Sequence, residues 1–274
     1  MNILYAGAGG LAAACAELMA PLADNQWALR RSLAAGARVF GLQLPVDLTR
    51  LQALALPAAP THVVFTATPA ARTPQAYRDI YIEGLARLLG ALDIAVLQRF
   101  VFVSSTAVYG PSEQWVDEDT PANPPAFNGQ ALLEAEGMLR AALGDKLVVL
   151  RLAGLYGPRR TQLFERLRAG RAVAPAGSGH WVNRLHDDDA ARLCAWALGA
   201  NAPPGVYIGV DDTPMEMSTL YDTLAAWLAA PPVGRGPPQA PTGKRLSNRR
   251  LASAGFRPSR PSTLEGYREL VSAR

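Results

Sequence analysis

Glycines are the first residues able to do chemistry. Gly7-Ala8-Gly9-Gly10-Leu11-Ala12 follows a short apolar stretch, Asn2 to Ala6, and opens an alanine-rich stretch that runs to about Ala20. Strand, glycine turn and helix in that order bring backbone N–H groups and the positive end of a helix dipole to one place, as a pyrophosphate requires. Gly7, Ala8, Gly9, Gly10 and Leu11 are therefore expected to cradle one. About twenty residues further on, where a carboxylate would take the ribose hydroxyls of NAD, stand Arg30, Arg31 and Ser32. Two guanidinium groups suit a 2′-phosphate, so NADP(H) is expected in preference to NAD(H). Asp47 and Leu48 are placed near the adenine end, although Asp47 could equally cap a helix. Thr66, Ala67 and Thr68 end the apolar run that starts at His62 and complete the expected cofactor set.

A second cluster, Ser104-Ser105-Thr106-Ala107-Val108-Tyr109-Gly110, comes directly after the apolar run from Arg99. It places hydroxyls at the carboxyl end of a sheet, where ligands bind in open α/β folds. Other chemistries are disfavoured. The run Asp187, Asp188, Asp189 coincides with the start of an alanine-rich helix, where acidic side chains cap and complement the dipole, so no metal is expected there. Glu134 and Glu136 are two apart on a helix and face different ways, which is no arrangement for paired-carboxylate catalysis. Cys15 and Cys194 lie far apart in helical stretches and are expected to be buried thiols.

The elements that must position these groups alternate. Strands are expected at Asn2 to Ala6, Gln26 to Leu29, around Arg38 to Leu42, His62 to Ala67, Arg99 to Ser104 and Leu147 to Arg151. Helices are expected to follow the glycine turn and to span Pro74 to Leu92 and Ala131 to Leu143. Such alternation predicts an α/β fold, a Rossmann-like doubly wound parallel sheet. Beyond Gly157 the pattern loosens, with further strands at His180 to Leu185 and Val206 to Val210 and helices at Asp188 to Leu198 and Glu216 to Ala229. The proline-rich stretch Pro231 to Pro241 predicts a loop or arm. The organisation expected is a dinucleotide-binding region over 1–157 and a smaller C-terminal substrate-cleft or lid region over 158–274, packed as one unit.

The glycine turn, the SSTAVYG segment, Asp117-Glu-Asp-Thr-Pro121, Leu150-Arg-Leu-Ala-Gly-Leu-Tyr-Gly-Pro158 and Asn183-Arg-Leu-His-Asp-Asp-Asp189 occur in the order found in the extended short-chain dehydrogenase/reductase superfamily. By these motifs the chain resembles its NAD(P)-dependent epimerase/dehydratase group, and the segment from Lys244 to Tyr267 is similar to the tail of an atypical, YeeZ-like branch. The resemblance implies that Ser105 is the catalytic serine, which hydrogen-bonds the substrate oxygen. It also exposes a departure. Asn128-Gly-Gln-Ala-Leu132 stands where the family has its Tyr-x-x-x-Lys pair, so Asn128 replaces the tyrosine and Leu132 the lysine. A one-residue slip gives Phe127 and Ala131, which is no better. Leu132 would pack against the nicotinamide ribose without donating to it. An amide does not titrate near neutrality, and the general acid–base contribution forgone is about a hundredfold to ten-thousandfold. Tyr109, Tyr156 and His186 are the candidate substitutes, with Tyr109 placed alongside Ser105 in the expected catalytic set.

Composition agrees with the departure. Only Lys146 and Lys244 are lysines among 27 basic residues, and neither follows a tyrosine by four positions. Half the chain is apolar (49%) with 18% charged, a globular balance. No apolar run reaches the roughly 18 residues of a membrane span and no basic leader opens the chain, so a cytoplasmic protein away from membranes is expected. Residues 223–274 carry nine basic and two acidic groups, but the arginines alternate with prolines rather than aromatics, which disfavours a nucleic-acid surface. The partners expected are a small-molecule substrate or ligand and, as is common in the family, a second copy in a homodimer. Two functions are compatible with these residues: an NADP(H)-dependent oxidoreductase or epimerase acting on a small polar substrate, and, as the alternative, a non-catalytic dinucleotide-binding redox sensor or scaffold.

Overall fold

A computed structural model describes residues 1–32, 39–238, 240 and 242–273. The first half is built from β1 (Asn2–Ala6), α1 (Gly10–Met19), β2 (Asn25–Arg30), β3 (Leu42–Pro45), β4 (His62–Phe65), α2 (Pro74–Arg78), α3 (Leu85–Ala91), β5 (Arg99–Ser105), β6 (Trp115–Val116) and α4 (Phe127–Leu143). It continues with β7 (Leu147–Leu152), β8 (Gly154–Tyr156), α5 (Gln162–Arg168), β9 (Val173–Ala176), β10 (Trp181–Val182), β11 (Arg184–His186), α6 (Asp187–Leu198) and β12 (Gly205–Gly209). The last elements are β13 (Met215–Glu216), α7 (Met217–Trp227), β14 (Gly234–Pro238), β15 (Arg245–Leu246), α8 (Arg249–Ser253) and α9 (Thr263–Ser272).

Seven strands form one sheet in the order β12-β7-β5-β4-β1-β2-β3. The pairs β1–β2, β1–β4, β2–β3 and β4–β5 are all parallel. The chain runs outward from β1 through β2 to β3, then returns to β4 on the other side of β1. The order therefore reverses between β1 and β4, and the carboxyl ends of those two strands flank a crevice suited to a ligand. β4 is buried throughout, as its unbroken apolar run requires of a strand covered on both faces.

The chain divides into two compact units, each assembled from separated segments. The first comprises Met1–Tyr109, Ala122–Arg151 and Ala191–Tyr207; the second comprises Gly110–Pro121, Leu152–Ala190 and Ile208–Arg274. The division expected at residues 157/158 lies inside the second.

Three local expectations change. The strand placed around Arg38 to Leu42 begins at Leu42 and runs to Pro45, and its Arg38 end lies outside the described residues. The helix expected over Pro74 to Leu92 is interrupted by a π-turn at Asp79–Gly84. A Cβ on Gly84 would stand 3.0 Å from the Asp79 carbonyl oxygen and 3.2 Å from Leu48 Cβ, so the widened turn fits only because position 84 is bare. The proline-rich segment contains a strand, β14, paired parallel to β9. Proline lacks the N–H for a central strand but is tolerated at an edge.

In the second unit, Tyr156 stacks on Tyr267 with ring centroids 4.4 Å apart and meets His186 edge-on at 5.1 Å. Two buried aspartates fasten the C-terminal segment. Asp189 accepts the Ser259 and Arg260 backbone N–H groups at 2.7 and 3.0 Å, and Asp211 accepts from the Thr213 N–H and the Thr263 hydroxyl. Burial pushes the Asp211 carboxyl up to about 7 from an ordinary 3.8. Between those two values the folded chain holds a proton that the unfolded chain has lost, so this group's contribution falls as pH rises from about 4 to about 7. The slope is at most about 1.4 kcal/mol per pH unit. Asp211→Asn should therefore gain stability relative to the parent at pH 8 and much less at pH 5. Equal differences in urea midpoint at the two pH values would sink this account.

Candidate dinucleotide site

The carboxyl ends of β1, β2 and β4 enclose a cleft of about 230 Å³ in the first unit. Its first wall is the glycine turn. Gly7 has φ +97°, a left-handed conformation that glycine takes at no steric cost, and its N–H donates to the Leu29 carbonyl at 3.0 Å. Across the crevice, the Thr66 hydroxyl donates to the Gly7 carbonyl at 2.5 Å and the Thr66 N–H donates to the Ala6 carbonyl at 2.8 Å. The ends of β1 and β4 are thus tied together where the chain must turn. Gly9 stands just before α1 with nothing within 4 Å of the place a Cβ would occupy, so open space faces the helix start.

β2 delivers Arg30 at its end, with Arg31 and Ser32 exposed beyond it. Gln43 of β3 holds Arg30 through its Nη1 at 3.3 Å. The Arg30 Nε is buried with no hydrogen-bond partner, and the residue lines the cleft. An unpaired guanidinium N–H in a ligand-sized crevice fits an anionic ligand. Asp47 caps the short 3₁₀ turn Leu48–Arg50: its Oδ1 accepts the Thr49 N–H and hydroxyl at 3.0 and 2.8 Å, and the Thr49 hydroxyl bond foremost holds its carboxyl below the ordinary range. It also lines the cleft.

Gly7, Ala8, Gly9, Arg30, Arg31, Ser32, Asp47, Leu48, Thr66, Ala67 and Thr68 all line this one crevice. Gly10 and Leu11 are the first residues of α1 and do not line it. Leu29, Val46 and Ile80 do line it and escaped sequence reading. Leu29 and Val46 were detectable as apolar strand-end neighbours of Arg30 and Asp47. Ile80 enters through the π-turn, which left no local sign.

Ser105 ends β5, and its Oγ accepts the Ala107 N–H at 3.2 Å, capping the 3₁₀ turn Thr106–Val108. α4 lies against that turn so closely that a Cβ on Gly129 would be 2.2 Å from the Ala107 carbonyl oxygen. Asn128 falls in the first turn of α4, and Leu132, one turn on, is only 4% exposed. Beneath the turn, the Glu136 carboxylate accepts from the Ser104 hydroxyl at 2.6 Å and from Arg151 at 2.6 to 3.2 Å. Arg151 Nη1 in turn donates to the Tyr109 hydroxyl at 2.6 Å.

The three candidate substitutes for the family's tyrosine share one trait. Tyr109 is 2% exposed, Tyr156 is 1% and His186 is 2%. Burial raises the Tyr156 phenol well above its ordinary 10 and lowers the His186 imidazole, whose Nδ1 accepts the Asp188 N–H at 3.1 Å. The aspartate run is engaged structurally: Asp187 pairs with Arg160 at 2.7 Å and Asp188 with Arg260 at 3.3 Å.

Residues 31–208 match the family described as NAD dependent epimerase/dehydratase. The chain belongs to that family. Protein YeeZ of Escherichia coli K12 is 33% identical over 190 residues, covering 68% of this chain and 67% of YeeZ. The solved structure of a putative NAD-dependent epimerase/dehydratase from Methylobacillus flagellatus is 31% identical and superimposes with a TM-score of 0.79 over 99% of this chain and 98% of its own. WbmG of Bordetella bronchiseptica, solved with NAD and UDP, shares the fold at 20% identity, with a TM-score of 0.79 over 100% of this chain and 95% of its own. The family binds a nicotinamide dinucleotide, and in this chain the glycine turn lines the crevice at the β1/β4 reversal. Among the described residues no helix is long and apolar enough to cross a membrane.

Proposed function

We propose that this chain is an NADP(H)-binding member of the family that senses or scaffolds rather than catalyses. The observation that carries the reading is the pairing of an arginine-walled cleft with a spent acid–base set. Arg30 and Arg31 favour a 2′-phosphate over bare ribose hydroxyls. Asn128 and Leu132 supply neither the proton nor the cation, and Tyr109, Tyr156 and His186 are all buried.

The test is a thermal shift with NADPH, NADH and neither. NADPH is expected to raise Tm most. Arg31 is exposed, and among the described residues no hydrogen bond or ion pair holds it. Arg31→Ala should therefore weaken NADPH by about tenfold, the worth of one charge-assisted hydrogen bond, and leave NADH unchanged. Tighter binding of NADH than of NADPH rejects the arginine reading.

A second reading, an NADP(H)-dependent oxidoreductase or epimerase, is favoured by a pocket of the second unit. Arg160, Arg166 and Arg184 line a space of about 260 Å³ together with Tyr221 and Tyr267. That set suits an anionic, small polar substrate, and WbmG holds UDP. The dinucleotide would supply or accept the hydride. In this reading Ser105 and Tyr109 keep the roles expected from the sequence, Ser105 as hydrogen-bond donor and Tyr109 as proton donor. Reproducible NADPH oxidation with carbonyl probes, abolished by Ser105→Ala, supports this reading. Binding without turnover across carbonyl and alcohol screens supports the first.

A further inference from the structure

Among the groups that line the first unit's cleft, the glycine turn at Gly7 to Gly9 suits the diphosphate of a dinucleotide, Arg30 and Arg31 a phosphate ester on the adenosine ribose, and Asp47 the adenine end.

The other half has lost its holders within the same unit. A nicotinamide ribose is fixed in this family by a lysine at the position of Leu132, which here is 4% exposed and apolar. Gly129 presses the first turn of α4 onto the Ala107 carbonyl, with no space for even a methyl group. The helix is seated as an element of packing. Asn128, half-buried beside Gly129, keeps an amide in place of the phenol. Neither residue offers a charge-assisted bond, so neither can contribute the roughly tenfold or more in affinity that such a bond carries.

We infer that the cleft recognises its ligand through the 2′-phosphoadenosine diphosphate half alone, and that its ligand class is adenine nucleotides bearing a 2′-phosphate, whatever is attached at the far end. This rests on the NADP(H)-binding reading above. The oxidation state of the nicotinamide ring is then invisible to the site. NADP⁺ and NADPH bind equally, and 2′-phospho-ADP-ribose binds as well as either.

Isothermal titration of the full chain with NADPH, NADP⁺, 2′-phospho-ADP-ribose and reduced nicotinamide mononucleotide tests this. The first three are expected to have Kd values within fivefold of one another, and the mononucleotide is expected not to displace NADPH at millimolar concentration. A spread beyond fivefold among the three, or displacement by the mononucleotide, overturns the inference while leaving dinucleotide binding intact. If none of the three binds, the NADP(H)-binding reading itself fails and the inference falls with it.

Discussion

Glu136→Gln is expected to destabilise the protein by about 3 to 5 kcal/mol, the range for removing one partner of a buried ion pair. The Glu136 and Arg151 side chains are 2% and 6% exposed, and their closest approach is 2.6 Å. Without the carboxylate, the guanidinium stays out of water with its charge uncompensated, and the one amide oxygen that remains must serve both the Ser104 hydroxyl and Arg151. The loss is a large share of a typical stability of about 5 to 15 kcal/mol. Double replacement with apolar groups, Glu136→Leu with Arg151→Met, should recover much of it, because no buried charge then remains. Urea midpoints of the parent, Glu136→Leu, Arg151→Met and the double variant give the coupling directly. A Glu136→Gln loss below about 1 kcal/mol, the scale of an exposed pair, would show that the pair is hydrated and that this account is wrong.

The same pair has a positional consequence. Ser104 and Tyr109 bracket the turn that Ser105 caps, and both are bonded into the Glu136–Arg151 unit. Ser105 Oγ therefore stands where a buried, bidentate ion pair places it.

How much of this was legible depends on whether a feature is local. The turn at Gly7 to Gly9 was legible, because a tight strand-to-helix turn needs glycine in a few adjacent positions. So was the crevice wall at Arg30, since it ends an apolar strand of the alternating sheet. The start of β3 was misplaced towards Arg38, because its register comes from pairing Leu42 with Trp27 across the sheet rather than from its own residues. β14 was missed for the same reason: five residues rich in glycine and proline become a strand only because β9 offers an edge. The pocket of Arg160, Arg166 and Arg184 was invisible, because these arginines come from α5, β11 and the loop before α5. The reading of Asn128 and Leu132 as replacements rests on the motif alone. That Leu132 is buried, and that Gly129 seats the helix on Ala107, needed coordinates.

Two alanine substitutions two residues apart should separate what the glycine turn does for the fold from what it does for the ligand. Gly7→Ala is expected to abolish NADPH binding, by at least about a hundredfold, and to lower Tm clearly. Its φ of +97° costs an L-residue about 1 to 2 kcal/mol, and the added Cβ would meet backbone, 2.3 Å from the Ala67 nitrogen and 2.5 Å from the Ala67 Cα. No rotamer relieves a clash between main chains, so the ends of β1 and β4 must move apart and the Thr66 hydroxyl bond to the Gly7 carbonyl must break. Gly9→Ala differs in kind. Its φ of −81° suits any residue and nothing lies within 4 Å of the new Cβ, so Tm should stay within a degree or two of the parent. The methyl group then occupies the space in which a diphosphate would approach the helix start, and NADPH affinity should fall by about tenfold or more, since close backbone approach is what that glycine provides. Calorimetric Tm and titration of both variants settle the matter. A Gly7→Ala protein as stable as the parent would refute the strain argument. A Gly9→Ala protein that binds NADPH unchanged would place the diphosphate somewhere other than this turn.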